Sequence, residues 1–213
     1  MSEGEGQKET RAEVALSGLP GSPGVALGKA VVLAIGRTGV VHRHVESTDV
    51  AEEIERFKSG VAKAAAELRE LSNRARPTAT KIEISVLEAY TLMVEDELLL
   101  AEVTRRIETE LVCAEWALDL AVTEMAAQLR RAGDAYLAER SHDFEFVGAR
   151  IRLAINGANP DVVPETTEPR VIVAHDLSPA ETVGLTREKV LALVTEVGTR
   201  SSHTSIGARA LEI

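Results

Sequence analysis

Between positions 49 and 155 apolar residues recur every three or four places, whereas on either side of that stretch they run in short unbroken blocks. The first pattern is that of amphipathic helices and the second that of strands buried on both faces. Ile54, Phe57, Val61, Ala65, Leu68 and Leu71 form one stripe, behind a capping-box-like start at Asp49 and Glu52. Pro77 closes this helix. Thr78 is placed to cap a second, with Ile82, Val86, Ala89 and Met93 on its inner face. Another run begins at Asp96 and passes through Leu99, Val103, Ile107 and Leu111; Trp116, Leu120, Met125 and Leu129 continue it up to the break at Gly133 and Asp134. A last helix spans 135–155, with Leu137, Phe144, Val147, Ile151 and Ile155 inward. Short connections between such helices predict an antiparallel bundle.

The flanks read differently. Gly and Pro make 18–24 a turn-rich loop, and 25–35 reads as a strand. His42 and His44 alternate in the connection that follows and face one side; with no further ligand nearby they read as solvated surface. After Asn156-Gly157-Ala158-Asn159-Pro160, strands are expected at 170–174 and 190–195. Between them Ser178 is a good N-cap, Pro179 suits the first helical position and Glu181 completes a capping box. The expected fold is α+β or α/β, a β/α domain made from both ends of the chain and interrupted by an inserted antiparallel helical bundle. The divisions are a disordered tail at 1–15, the β/α domain at 16–46 and 157–213, and the bundle at 47–156.

Composition narrows the class. The chain has 213 residues, 45% hydrophobic and 27% charged, as an ordinary globular protein does. Aromatics are only 3%, so the core must be built from Ala, Leu, Val and Ile. A net charge of −10 argues against nucleic acid and fits a basic partner. The one cysteine, Cys113, reads as a packed thiol. No apolar run reaches membrane-spanning length, and the acidic N-terminus is not a signal peptide, so a cytoplasmic protein without a membrane partner is expected.

The chemistry gathers at Gly198-Thr199-Arg200-Ser201-Ser202-His203-Thr204-Ser205-Ile206, a strand-to-helix turn crowded with hydroxyls. First-turn amides of a helix lack internal partners and carry partial positive charge, so such a turn can hold an anion. Taken alone, His203 is either a solvent-facing capping residue or a phosphate-holding imidazole. The literal string, with Ala208-Arg209, resembles the phosphohistidine signature of the Enzyme I family of the phosphoenolpyruvate:sugar phosphotransferase system, G-G-R-T-S-H-T-S/A-I-x-A-R. A looser version occurs in pyruvate phosphate dikinase and phosphoenolpyruvate synthase. Thr199 stands where the family has its second Gly, and Ser201 where it has Thr. Ser22-Pro23-Gly24-Val25-Ala26-Leu27-Gly28-Lys29-Ala30 resembles that family's opening S-P-G-x-A-x-G-x-A, and Asp176-Leu177-Ser178-Pro179-Ala180-Glu181-Thr182 its D-L-T-P-S-E-T. Glu95-Asp96-Glu97-Leu98 resembles its E-D-x-x-L and Tyr136-Leu137-Ala138-Glu139-Arg140 its Y-L-x-E-R. Departures collect in the helical part. Leu87-Glu88-Ala89-Tyr90 replaces F-E-x-H, Glu83 replaces a lysine, and Phe146 replaces the second Asp of D-x-x-D-I-G. If these positions face the partner, they change its affinity or identity.

The resemblance implies a swivelling phosphohistidine domain interrupted by a helical subdomain that docks the phosphocarrier protein HPr or a paralogue. His203 would be the nucleophile, forming a phosphoramidate. Thr204, Ser205 and the first-turn amides would stabilise the phosphoryl oxygens, Ser178 would hydrogen-bond the ring or the phosphate, and Arg200 would supply a cation. Arg209 has a weaker claim on the phosphate, and His142 and His175 have no comparable setting. The chain ends at Ile213, before the family's next strand, linker and C-terminal barrel, so it reads as a truncated Enzyme I. Phosphoenolpyruvate and Mg2+ are expected only with that barrel, and no cofactor is expected in this chain. Two other readings remain open: a non-catalytic partner-binding module derived from Enzyme I, and a dikinase or synthase swivelling domain, against which the S-P-G segment and the helical insertion speak.

Overall fold

The computed structural model describes residues 13–33, 39–158, 168–183, 185, 188–198, 205, 208–209 and 213. The tail at 1–12 and the turn from 199 to 204 lie outside them.

Three parallel strands, β1 (Ala30–Leu33), β2 (Arg170–Ala174) and β3 (Val190–Thr195), pair in the order β1-β2-β3. Val31 stands opposite Ile172, and Ile172 opposite Leu193. On this face Leu33, Ile172 and Ala174 pack with Leu177, Leu185 and Val190 into a small core. Val32 and Val194 alternate with them and are exposed on the other face. The first strand is shorter than the apolar run that announces it. Pairing starts at Lys29, whose carbonyl accepts from the Val171 amide at 3.0 Å. Val25 and Leu27 have no strand beside them and are fully exposed.

The chain between β1 and β2 forms α1 (Val50–Ala75), α2 (Lys81–Val94), α3 (Glu97–Glu110), α4 (Ala114–Arg131) and α5 (Ala135–Ile155). Helix α5 packs against α1, α2 and α4, and α3 packs against α4. Phe57, Val61, Ala65 and Leu68 of the expected α1 stripe are buried, with Ile54 and Leu71 at its margins. Leu99, Val103 and Ile107 of α3 and Val147 and Ile151 of α5 also lie inward as their spacing predicts. In α3 the Asp96 carboxylate caps the start, accepting from the Leu98 and Leu99 amides at 3.0 Å each.

Four expectations are corrected. Asp49 precedes α1 but makes no side-chain cap; its backbone is helical (φ −98°, ψ −6°), and its Oδ1 accepts from the Thr48 hydroxyl at 3.0 Å. Helix α2 is capped by Thr80, not Thr78. Glu83 Oε2 accepts from the Thr80 amide at 2.7 Å while the Glu83 amide donates to Thr80 Oγ1, a complete capping box. Thr78 instead donates its hydroxyl to the Ala75 carbonyl. The buried face of α2 is Leu87, Tyr90, Thr91 and Val94, whereas Ile82 is 75% exposed. Finally, α3 does not continue into Trp116. Leu111 takes a left-handed conformation (φ 52°), and Val112 forms an antiparallel bridge with His44 before α4 sets off. Helix α4 then buries Ala117, Leu118, Ala121 and Val122.

That bridge also places the two histidines. His42 stacks on Trp116 at 4.8 Å between ring centroids and His44 meets it edge-on at 5.0 Å; both are exposed, as the sequence predicts, and cover an indole from the solvent side. Cys113 is fully buried, its thiol donating to the Val41 carbonyl at 3.2 Å.

A buried ion cluster ties these parts together. Glu53 of α1 is 4% exposed. It accepts from Arg43, from Arg56 at 2.7 Å and from the Ala114 amide at 3.0 Å, which places its charge on the first turn of α4. Arg56 also donates to Glu115 at 2.6 Å. Burial alone would raise the Glu53 carboxyl, but the amide and the two guanidiniums outweigh it and hold the group below its ordinary value of 4.5. A depressed carboxyl stabilises the fold above its unfolded pKa, and that contribution is lost as pH falls through the lower folded value. Glu53→Ala should therefore cost about 3 kcal/mol in urea denaturation at pH 7, since it strands the charges left behind. Repeating the titration at acid pH should show a flatter loss of stability below 4.5 for Glu53→Gln than for the unchanged chain.

Candidate functional site

Ligand sites of parallel sheets sit beyond the carboxyl ends of the strands. Here those ends are the loops after β2 and β3, and the two are bonded to each other. The amides of Glu196 and Val197 both donate to the His175 carbonyl at 3.1 Å, and Glu196 also donates to that of Ala174. Their side chains add a link, with His175 Nδ1 at 2.8 Å from Glu196 Oε2. Because β2 and β3 are neighbours, His175 stands beside the end of the strand that leads toward the histidine turn. Glu196 gave no signal of its own, because it is an ordinary exposed carboxylate in sequence.

Beyond His175, Ser178 opens the short helix α6 (Pro179–Thr182). Its amide donates to Glu181 Oε2 at 2.6 Å, and its Oγ accepts from the Glu181 amide at 3.2 Å. This is the reciprocal capping box that the sequence predicts. Glu181 is itself buried. Burial pushes its carboxyl above 4.5, with Asp176 adding to the rise, while the Ser178 amide and hydroxyl and the Arg150 guanidinium oppose it.

The α6 segment belongs to both parts of the molecule. It packs against α2, and Val183 just after it joins the core of the helical bundle. Under it lies Tyr90, 2% exposed, whose hydroxyl donates to Asp143 Oδ1 at 2.9 Å. Burial and then the Asp143 carboxylate push the Tyr90 hydroxyl well above its ordinary pKa, and Glu181 contributes in the same direction. Phe146 packs on the Tyr90 ring at 4.7 Å, Arg140 donates to the other Asp143 oxygen at 2.8 Å, and the Arg150 guanidinium lies 5.8 Å from the Phe146 ring centre. Tyr90 and Phe146, which would have altered docking if they faced the partner, thus pack ring on ring between α2 and α5. Glu83 serves the cap of α2.

After β3 the chain passes Gly198 at φ +136°, a conformation open to glycine and rarely to other residues. His203, Thr204 and Arg200 lie outside the described residues. Ser205 is helical and half-buried. Arg209 is helical too and donates to the Gly21 carbonyl at 2.8 Å.

With this geometry in view, the relatives are informative. The family described as PEP-utilising enzyme, N-terminal, matches residues 17–140, and that described as PEP-utilising enzyme, mobile domain, matches 166–213. An Enzyme I solved by NMR in solution superposes with a TM-score of 0.75 at 33% identity, over 91% of this chain and 78% of that one. The chain belongs to the Enzyme I family. A second solved structure, the N-terminal domain of "Enzyme 1 - Nitrogen", superposes at a TM-score of 0.64 and 28% identity, over 92% and 79% of the two chains. The phosphoenolpyruvate-protein phosphotransferase of Cupriavidus necator is 34% identical over 93% of this chain and 36% of its own length. That of Haemophilus influenzae is 32% identical over 93% and 34%. The chain therefore spans about a third of the curated relatives it matches. The Enzyme I N-terminal fold, a helical bundle with a small parallel sheet, is the one that the sequence predicts. No helix among the described residues is long and apolar enough to cross a membrane.

Glu181 offers a direct check on this part of the fold. A carboxyl whose folded pKa lies above its unfolded value costs stability when ionised, and the cost is relieved as pH falls through the folded value. Glu181→Gln keeps an acceptor for the Ser178 amide without the charge. Thermal unfolding at pH 7 should show it at least as stable as the unchanged chain, and the advantage should shrink toward pH 4.5.

Proposed function

We propose that this chain is the phosphotransfer part of an Enzyme I-type protein, in which His203 accepts a phosphoryl group and exchanges it with HPr or a paralogue. The observation that carries this is the juxtaposition of the Ser178 loop, held by its capping box, with the end of the strand that leads into the His203 turn. A neutral imidazole nitrogen of His203 attacks the phosphorus of the donor phosphohistidine in line. The N–P bond to His203 forms as the donor's N–P bond breaks; the other ring nitrogen of His203 gives up its proton to solvent as the departing imidazole takes one up. Thr204, Ser205 and the helix's first amides would cradle the oxygens, and Arg200 would offset their charge. Ser178 Oγ already accepts from the Glu181 amide, so what it has to offer the ring or the phosphate is its proton. The division of labour would follow the chain: 16–46 and 157–213 hold the phosphohistidine, and 47–156 dock the carrier.

Helix α2 supports the docking half of the reading. It is apolar on both sides. Leu87, Tyr90 and Val94 face inward, while Ile82 at 75% and Leu92 at 72% face solvent, joined by Leu98 of α3 at 74%. Glu88, Glu95 and Glu97 rim this surface. Arg76 and Arg69 pair with Glu88 and Glu95, so the border is of mixed charge, and the exposed Ile82, Leu92 and Leu98 suit an apolar partner face. The alternative of a non-catalytic module loses its motive, since Tyr90 and Phe146 are spent on internal packing and Glu83 on a cap.

Incubation with phosphorylated HPr should leave acid-labile, base-stable phosphate on the chain, and His203→Ala should abolish it. Labelling that survives this change would defeat the assignment. Leu92→Glu should raise the half-saturating HPr concentration by about tenfold or more, as loss of a central apolar contact does. Ser178→Ala should slow transfer while costing only about 1 kcal/mol of stability through its lost cap.

A further inference from the structure

We infer that the turn at Gly21 and Ser22 is a clasp that positions the segment carrying Ser205 and Arg209, and through it the phosphate-binding turn; the inference rests on the phosphotransfer reading above. The surrounding chain gives this turn no other purpose. Val14, Leu16, Leu19, Val25 and Leu27 are all exposed, and no regular element forms before Ala30 among the described residues. Yet at Gly21 and Ser22 the chain is held by two hydrogen bonds to its opposite end and stands close to Ser205. Arg209 donates to the Gly21 carbonyl at 2.8 Å. The Ser22 hydroxyl donates to the main-chain oxygen of Ile213 at 2.8 Å. A Cβ placed on Gly21 would stand 3.2 Å from Ser205 Oγ, closer than such atoms ordinarily sit. The Ile213 amide in turn donates to the Ala208 carbonyl at 2.8 Å, and its side chain packs on the core of the sheet.

One short turn therefore meets the C-terminal segment at Ser205, Arg209 and Ile213. Ser205 lies two residues from His203 in sequence. A side chain at position 21 would press on Ser205 Oγ, which would have to give by a few tenths of an ångström to admit it. Phosphoryl transfer depends on in-line placement far more than on covalent help from the protein. Small displacements of a positioned group are costly in such reactions. Gly21, Ser22 and Arg209 are thus positioning residues, remote from the docking stripe on α2 and α3.

The test is single-turnover transfer from phosphorylated HPr to the full chain, followed by rapid quenching across a range of HPr concentrations. Gly21→Ala and Ser22→Ala should each lower the limiting rate by about tenfold, the size of effect that a small misplacement produces. The half-saturating HPr concentration and the final phosphate per chain should not change. Ser22→Thr, which keeps the hydroxyl, should restore the rate. A clasp that served stability alone would lower the final phosphate per chain and leave the rate of the active molecules intact, and that result overturns the inference. So do limiting rates within about twofold of the unchanged chain while His203→Ala still abolishes labelling, and in that case the phosphotransfer reading stands. Labelling that survives His203→Ala removes both.

Discussion

The pairing of Ala30–Leu33 with Arg170–Ala174 is the constraint on which the rest of the structure depends. Its partners are separated in sequence by all five long helices, so the chain must leave the sheet, build a folded body and return in parallel register. Closing so long a loop costs little more than closing a shorter one, provided the inserted chain folds on its own core. It has one, from Phe57 and Leu68 through Ile107 to Ile151. Parallel pairing also sets the polarity of the molecule. The carboxyl ends of β2 and β3 come out side by side, and the loops carrying Ser178 and leading to His203 have to meet there.

The two bodies are joined by polar as well as apolar contacts. Val183 reaches the bundle core, while Tyr90, Asp143 and Arg140 fill the space between α2 and α5 close to α6. Glu181 sits in the middle, holding Ser178 by its backbone and sensing Arg150 of α5. The Ser178 loop thus packs on the same helix that exposes Ile82 and Leu92. In the proposed function docking and chemistry would share α2.

Much of this was legible in the sequence, and the misses have physical causes. Strands β2 and β3, the helix α5 and the capping box of Ser178 and Glu181 follow from apolar runs, spacing and cap chemistry that act within a few residues. The expected stripe of helix α2 falls at the margin of the core: Val86 and Met93 pack against it but Ile82 is exposed, because apolar residues spread over more than one face and periodicity does not fix which of them is central. The stop between α3 and α4 was hidden because its left-handed residue is Leu111, with no glycine to announce it. The Glu53 cluster was invisible for another reason: Glu115 and Ala114 lie about sixty residues away, and only folding brings them to Glu53 and Arg56. The family could be named from the His203 string, but the role of Arg209 could not. Its partner is a backbone carbonyl at Gly21, which no side-chain motif encodes.

The central claim concerns one nitrogen. The chain holds five histidines, and the account assigns the phosphoryl group to His203 alone. Phosphorus NMR of nitrogen-labelled chain mixed with phosphorylated HPr tests this most directly. The account predicts a single phosphoramidate resonance coupled to a ring nitrogen of His203, with the rings of His42, His44, His142 and His175 unmodified. A phosphoester on Ser178 or Ser205, or a phosphoramidate on another histidine, would contradict it.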